Sequence, residues 1–221
     1  MFKTRTDHDH RLASKVISVS ETTAPKSDTV QRMDAKVANG ALLLLLVDPV
    51  TCFRAASYMQ HQTFYLEPDS SIIVLDWLTA GRISRDEEWA FAKYHSINEI
   101  WRAGRRIARD VMLLEQPLDS APFPPHTLKD RMAPYSCYAT LLMFGPMVTS
   151  IVASLAAQYD AVSQMGRTSA PDFLWSLSLL DGGCIVRAAG LETEAVKMWL
   201  KVALADVADV IGDNAFHKAF F

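Results

Sequence analysis

Cysteine is scarce in this 221-residue chain. Only Cys52, Cys137 and Cys184 occur, far apart and with no CxxC pair. An odd, dispersed set argues against a disulfide framework and fits a reducing, cytoplasmic compartment. No charge of one sign dominates, because the formal net charge is −3. Nucleic acid and anionic membrane surfaces favour a concentrated positive field, so neither is an expected partner. The one basic cluster is Arg102, Arg105, Arg106 and Arg109, interrupted by Gly104, and it reads as a solvated hairpin. The first residues, Met1-Phe2-Lys3-Thr4-Arg5, turn polar at once and lack the apolar core of a signal peptide.

Familiar catalytic motifs are missing too. There is no GxSxG, SxxK, GxGxxG, Walker loop or HExxH. The only close spacing of metal-ligand types is His8-Asp9-His10, in a polar stretch near a chain end. His61 and His95 fall in strand-like segments, where lone histidines are usually surface or satisfied core residues.

One long uncharged run is present, Ala133 to Tyr159, long enough to span a bilayer. Gly145-Pro146 in its middle and its many hydroxyls favour a strand over about Cys137–Phe144, a break, and then a helix. The helix is marked by Met147, Ile151, Leu155 and Tyr159 at four-residue spacing.

The first half reads as β structure. Asn39-Gly40 between Gln31–Val37 and Ala41–Val47 is a strong hairpin signal. Leu42–Leu46 suggests a strand buried on both faces. His61–Leu66 and Ile72–Leu78 flank a turn at Glu67-Pro68-Asp69-Ser70. A long strand is expected over Glu88–Trp101, followed by Arg106–Leu114 and a proline-rich loop to Pro134. Later, Phe173–Leu179 and Cys184–Ala188 look like strands. A second helix is expected over Glu192–Ile211, with Gly212 as its C-cap. The fold class that follows is mainly β with two helices in the C-terminal half, a single domain over 1–221. Hairpin connections would make its core antiparallel.

Two carboxylates stand among apolar neighbours, Asp76 in Ile72–Leu78 and Asp110 between Ala108 and Met112. A buried carboxylate must be paired or hydrogen-bonded. Arg82 is the natural partner in the sequence, with Asp76 or Glu87 as its acid. At the C-terminus Phe216, Phe220 and Phe221 either fold back onto the last helix or form an apolar contact surface.

Several segments, taken in order, resemble the urease accessory protein D family. They are Asp48-Pro49-Val50-Thr51-Cys52-Phe53, Gln62-Thr63-Phe64, Asp76-Trp77-Leu78-Thr79-Ala80-Gly81-Arg82 and Glu87-Glu88-Trp89-Ala90-Phe91. Asn98–Leu114, Tyr135–Pro146 and Gly182–Lys197 extend the likeness over nearly the whole chain. The family's mark, Gly-Arg followed by Gly-Glu and an aromatic, maps onto Gly81, Arg82 and Glu87, with Asp86 in place of glycine. The resemblance implies a non-catalytic, β-rich scaffold that binds apo-urease and accessory protein F, and through F the GTPase accessory protein G. Nickel would be transferred rather than kept. Asp76 and Asp110, both acidic in the family, would line its passage. The resemblance also implies that strands preceding Met1 are missing, leaving Lys3–Thr6 and the Gln31–Val47 hairpin without partners. A metal-dependent hydrolase on a β scaffold, and a protein crossing a membrane through Ala133–Tyr159, are the rival readings.

Overall fold

Strands buried almost throughout build one sheet, strands that alternate buried and exposed residues build another, and the two face each other. A computed structural model describes residues 2–4, 17–22, 29–117, 126–163 and 171–220. The strands are β1 (Phe2–Thr4), β2 (Ile17–Thr22), β3 (Thr29–Val37), β4 (Leu42–Leu46), β5 (Val50–Thr51) and β6 (Ser57–Leu66). Then come β7 (Ser71–Thr79), β8 (Lys93–Arg102), β9 (Arg105–Glu115), β10 (Cys137–Phe144), β11 (Phe173–Leu180) and β12 (Gly183–Gly190). The α-helices are α1 (Leu128–Met132), α2 (Thr149–Ser163), α3 (Thr193–Ala203), α4 (Ala208–Ile211) and α5 (Asp213–Phe220).

One sheet has the order β1-β4-β7-β10-β12-β11, with β5 added beside β7. The other has the order β2-β3-β6-β8-β9. The expected hairpin at Asn39-Gly40 does not form. β3 runs parallel to β6 in the second sheet, while β4 runs parallel to β7 in the first. The turn at Asn39-Gly40 therefore carries the chain from one sheet to the other, as does the turn at Glu67–Ser70. The two arches stack: Gly40 N–H donates to the Asp69 carbonyl at 3.3 Å, and Asp69 N–H donates to Asn39 Oδ1 at 2.9 Å. Asn-Gly dictates a tight reversal with positive φ at Gly40 (+68°), but not which strand lies beside which. The sheets are accordingly mixed rather than wholly antiparallel. β3 has neighbours on both sides, β2 and β6, and so does β4, β1 and β7. The expectation that Gln31–Val47 would lack strand partners is thus overturned.

The leucine run is explained by its place. All five leucines of β4 are buried. Leu42, Leu44 and Leu46 face a helix-covered core with Ile151, Leu155, Val196 and Leu200. Leu43 and Leu45 face the core between the sheets with Phe64, Ile100 and Phe144. The molecule has three layers: helices, the β1-to-β11 sheet, and the β2-to-β9 sheet.

Gly145-Pro146 ends β10 and opens a 3₁₀ turn that leads into α2, as the sequence implied. Among the described residues no helix is long and apolar enough to cross a membrane. The expected single helix over Glu192–Ile211 is broken after Ala203. Neither proline nor glycine marks the break. Leu204 and Val207 are both sunk into the core, and a 3₁₀ turn over Ala205–Val207 reorients the backbone to allow it. Gly212 follows with φ +83°. Phe216 then folds back into the helix-covered core. The side chains of Phe220 and Phe221, and the whole of His8-Asp9-His10, lie outside the described residues. β8 starts at Lys93 rather than Glu88, because Glu88–Ala92 forms a loop whose Trp89 takes φ +51°.

Candidate functional site: a buried polar belt

The core between the sheets is divided in two. Near the arches lies the cluster of Val37, Leu45, Phe64, Val74, Ile100 and Phe144. At the other end lies a cluster of Leu78, Trp89, Phe91, Tyr94 and Leu114, closed by Leu128 and Met132 of α1. Between them each central strand turns a polar side chain inward.

Strand register puts these groups in rows. On the first sheet Thr140 of β10 is paired with Asp76 of β7 on one side and Arg187 of β12 on the other. On the second sheet Gln62 of β6, Asn98 of β8 and Asp110 of β9 form a row, with Gln60 and Ser96 in the row beside it. Directly opposite residues on one face have Cβ atoms about 4.5–5.5 Å apart, so each row is a line of neighbours.

Two links cross the gap between the sheets. At one, Asp76 accepts from Asn98 Nδ2 (2.7 Å), from the Tyr94 hydroxyl (3.1 Å) and from the Ser96 hydroxyl. Gln60 Nε2 in turn donates to Ser96 Oγ at 3.0 Å. Burial nevertheless pushes the Asp76 carboxyl above its ordinary range, and the three donors only partly offset it. At the other link, Arg187 donates to Asp110. The Asp110 side chain is 4% exposed and that of Arg187 48% exposed. The sequence-predicted pair Asp76 and Asp110 is therefore buried in one polar region, as expected. Arg82 does not reach Asp76.

The links close a ring: Asp76, Asn98, Asp110, Arg187 and Thr140, with Gln62 beside Asn98. Within it Asn98 Oδ1, Thr140 Oγ1 and Gln62 Oε1 are buried and have no hydrogen-bond partner among the described residues. An unpaired buried polar atom is costly, so three acceptors gathered in one place suit a small polar or cationic guest. All are oxygens, alongside two carboxylates. Such a set suits hard and borderline divalent ions held weakly. No cluster of three or more His, Cys, Asp or Glu side chains with metal-holding geometry occurs among the described residues.

Sequence reasoning found the two carboxylates and missed Ser96, Asn98, Thr140 and Arg187. The signal was there, since Thr140 and Arg187 each interrupt an apolar strand at an inward position. The register that joins them was not readable.

The Gly81-Arg82…Glu87 motif is a separate structural knot. Arg82 grips Glu87 with two bonds of 2.7 Å, Nε to Oε2 and Nη2 to Oε1. Arg54 N–H adds a third donor to Glu87 Oε2 at 3.3 Å. The Arg82 guanidinium lies 4.1 Å above the Phe53 ring. The Arg82 bonds are the main cause that holds the Glu87 carboxyl below its ordinary range. Gly81 has φ +115°, and a Cβ there would sit 2.4 Å from the Glu87 carbonyl oxygen. Asp86, where the family pattern has glycine, adopts φ +55°. Aspartate is among the few residues that tolerate that conformation, so the departure leaves the turn intact.

His61 and His95 lie on the outer face of the second sheet, half-buried, with His61 Nε2 4.0 Å from Glu99 Oε2. Arg106 and Arg109 also bind Glu99, at 3.0 Å each, so the basic hairpin is tied to a largely buried acid. Glu88 pairs with Lys129 at 2.6 Å. The three cysteines are free and buried, and burial raises their thiols, Cys52 and Cys137 to about 11 and Cys184 to about 12.

Fold and site together define a class: a two-sheet β scaffold, backed by helices, whose distinctive chemistry is a buried oxygen-lined belt. Comparison with known proteins narrows the class. The family model described as UreD urease accessory protein matches residues 13–218. Urease accessory protein 4 of Cryptococcus neoformans var. grubii is 33% identical, over 96% of this chain and 70% of that protein. Urease accessory protein UreD of Sorangium cellulosum is 34% identical, over 85% of this chain and 57% of that protein. Urease accessory protein D of Arabidopsis thaliana is 31% identical, over 84% of this chain and 69% of that protein. The chain belongs to the UreD urease accessory protein family. It spans between 57% and 70% of the length of these three relatives.

Proposed function

We propose that this chain is a non-catalytic scaffold for urease maturation, which helps deliver nickel to apo-urease together with accessory proteins F and G. Family membership supports the urease connection. The observation that carries the nickel part is the ring around Asp76 and Asp110, set between two apolar clusters, where three buried oxygens have no hydrogen-bond partner among the described residues. Nickel is cargo here. It would pass between carboxylate and amide oxygens that bind too weakly to retain it. Thiolate or imidazole ligands would hold it longer.

The direct test is co-expression with urease and the F and G proteins, in cells lacking their own D protein. Capture of urease and F on the tagged chain is expected, with restored nickel content and urease activity. Asp76→Asn should leave capture intact and lower nickel delivery. Undiminished activation by both Asp76→Asn and Asp110→Asn would remove the belt from the nickel route.

A further inference from the structure

The two links across the belt differ in kind. Asp76 is held by neutral donors from inside the core. Asp110 is held by a cation whose side chain is half in solvent. A guanidinium beside the belt repels any second cation. It also covers Asp110, whose own side chain is only 4% exposed. Asp110 cannot be left bare, because an uncompensated buried charge is heavily penalised.

We propose that the Arg187–Asp110 pair is the gate of the belt: Arg187 swings to solvent as a divalent cation takes its place beside Asp110. This rests on the reading of the belt as a cation passage. The exchange conserves bonding. One cation leaves the carboxylate as another arrives, and no proton or electron is transferred. Three features support it. Arg187 is 48% exposed, so its side chain has somewhere to go. Thr140, paired in register with both Arg187 and Asp76, offers an unpartnered hydroxyl on the path between them. Asn98, paired in register with Asp110, donates to Asp76 through Nδ2, which fixes its amide in the ring and leaves Oδ1 unpartnered there. A cation admitted at Asp110 therefore finds neutral oxygens in sequence toward Asp76. In the closed state the guanidinium makes the same region unattractive to positive charge.

The test uses the purified 221-residue chain and nickel chloride, reading equilibrium affinity and the rates of loading and of release into a chelator. Arg187→Gln removes the competing cation and leaves Asp110 free for metal. It should bind nickel more tightly by about tenfold or more, a modest outcome for deleting one adjacent unit charge. Loading should be faster, and release should slow by less than the gain in affinity. Urease activation should fall although urease is still captured. Arg187→Lys keeps the charge and so protects folding, but replaces a planar fork by a point contact. It should load nickel faster than the parent. Asp110→Asn/Arg187→Gln removes both charges and should lose the tight binding of Arg187→Gln alone. If Arg187→Gln and Arg187→Lys both load and release nickel as the parent does, while Asp76→Asn still weakens binding, the gate is wrong and the passage stands. If Asp76→Asn and Asp110→Asn also change nothing, the passage reading fails and takes the gate with it.

Discussion

Asp76 and Glu87 are both acids in tight hydrogen-bonded settings, yet their environments move them in opposite directions. Asp76 is raised above its ordinary 3.8 by burial. Its folded state thus favours the proton, and the associated stability is full below 3.8 and lost as pH rises through the folded value. Asp76→Asn keeps the shape and removes the titration. Its stability relative to the parent should therefore increase from pH 4 to pH 8, measured by denaturant midpoints at each pH. A constant difference would mean that the carboxyl is not desolvated as the structure indicates. Glu87 is lowered from its ordinary 4.5, chiefly by Arg82. Stability from that pair is present above 4.5 and lost as pH falls through the folded value. Arg82→Ala should therefore be less stable than the parent at neutral pH, with the gap closing below pH 4.5. A gap that persists in acid would assign the loss to the Phe53 contact instead.

Elements were legible where one residue type fixes one geometry. β4 is legible as doubly buried because five leucines leave no polar face. The β10–α2 junction is legible because Gly145 and Pro146 admit few conformations. The arches were misread because Asn-Gly specifies a turn and says nothing of whether the flanking strands pair with each other or with strands elsewhere. That choice was settled by tertiary packing: β3 and β4 each gained a parallel neighbour, β6 and β7, which local sequence cannot encode. The helix break at Leu204 has the same origin, in core shape rather than in a breaker residue. The belt was half legible. A carboxylate in an apolar strand is conspicuous, as Asp76 was. A threonine in one strand and an arginine in another become neighbours only through register. The position of β4 between two apolar layers sets its sensitivity. Leu45→Ala, emptying a site that is 1% exposed, should cost about 2–5 kcal/mol in equilibrium unfolding. A cost under about 1 kcal/mol would show that the core between the sheets collapses around the gap.

At the scale of the molecule, one surface is left to explain. Met198 and Val202 are 53% and 68% exposed, and their four-residue spacing puts them one turn apart on the outer side of α3. The apolar stripe of the same helix, Val196 and Leu200, is already buried beneath. Phe216 is buried, so among the described residues the expected contact surface at the C-terminal helices is this face. Under the proposed function, Met198→Asp/Val202→Lys should reduce capture of accessory protein F and leave the thermal midpoint of the isolated chain nearly unchanged. Full capture by this variant would place the contact on another face.

β11 is the outer strand of its sheet, and among the described residues no strand lies along its far edge. Its sequence, Phe173–Leu180, carries no charge and no proline, and Leu179 and Leu180 are exposed at its end. Such a margin can template the growth of further strands from other chains. β11 therefore offers an edge at which, in concentrated solution, like can add to like.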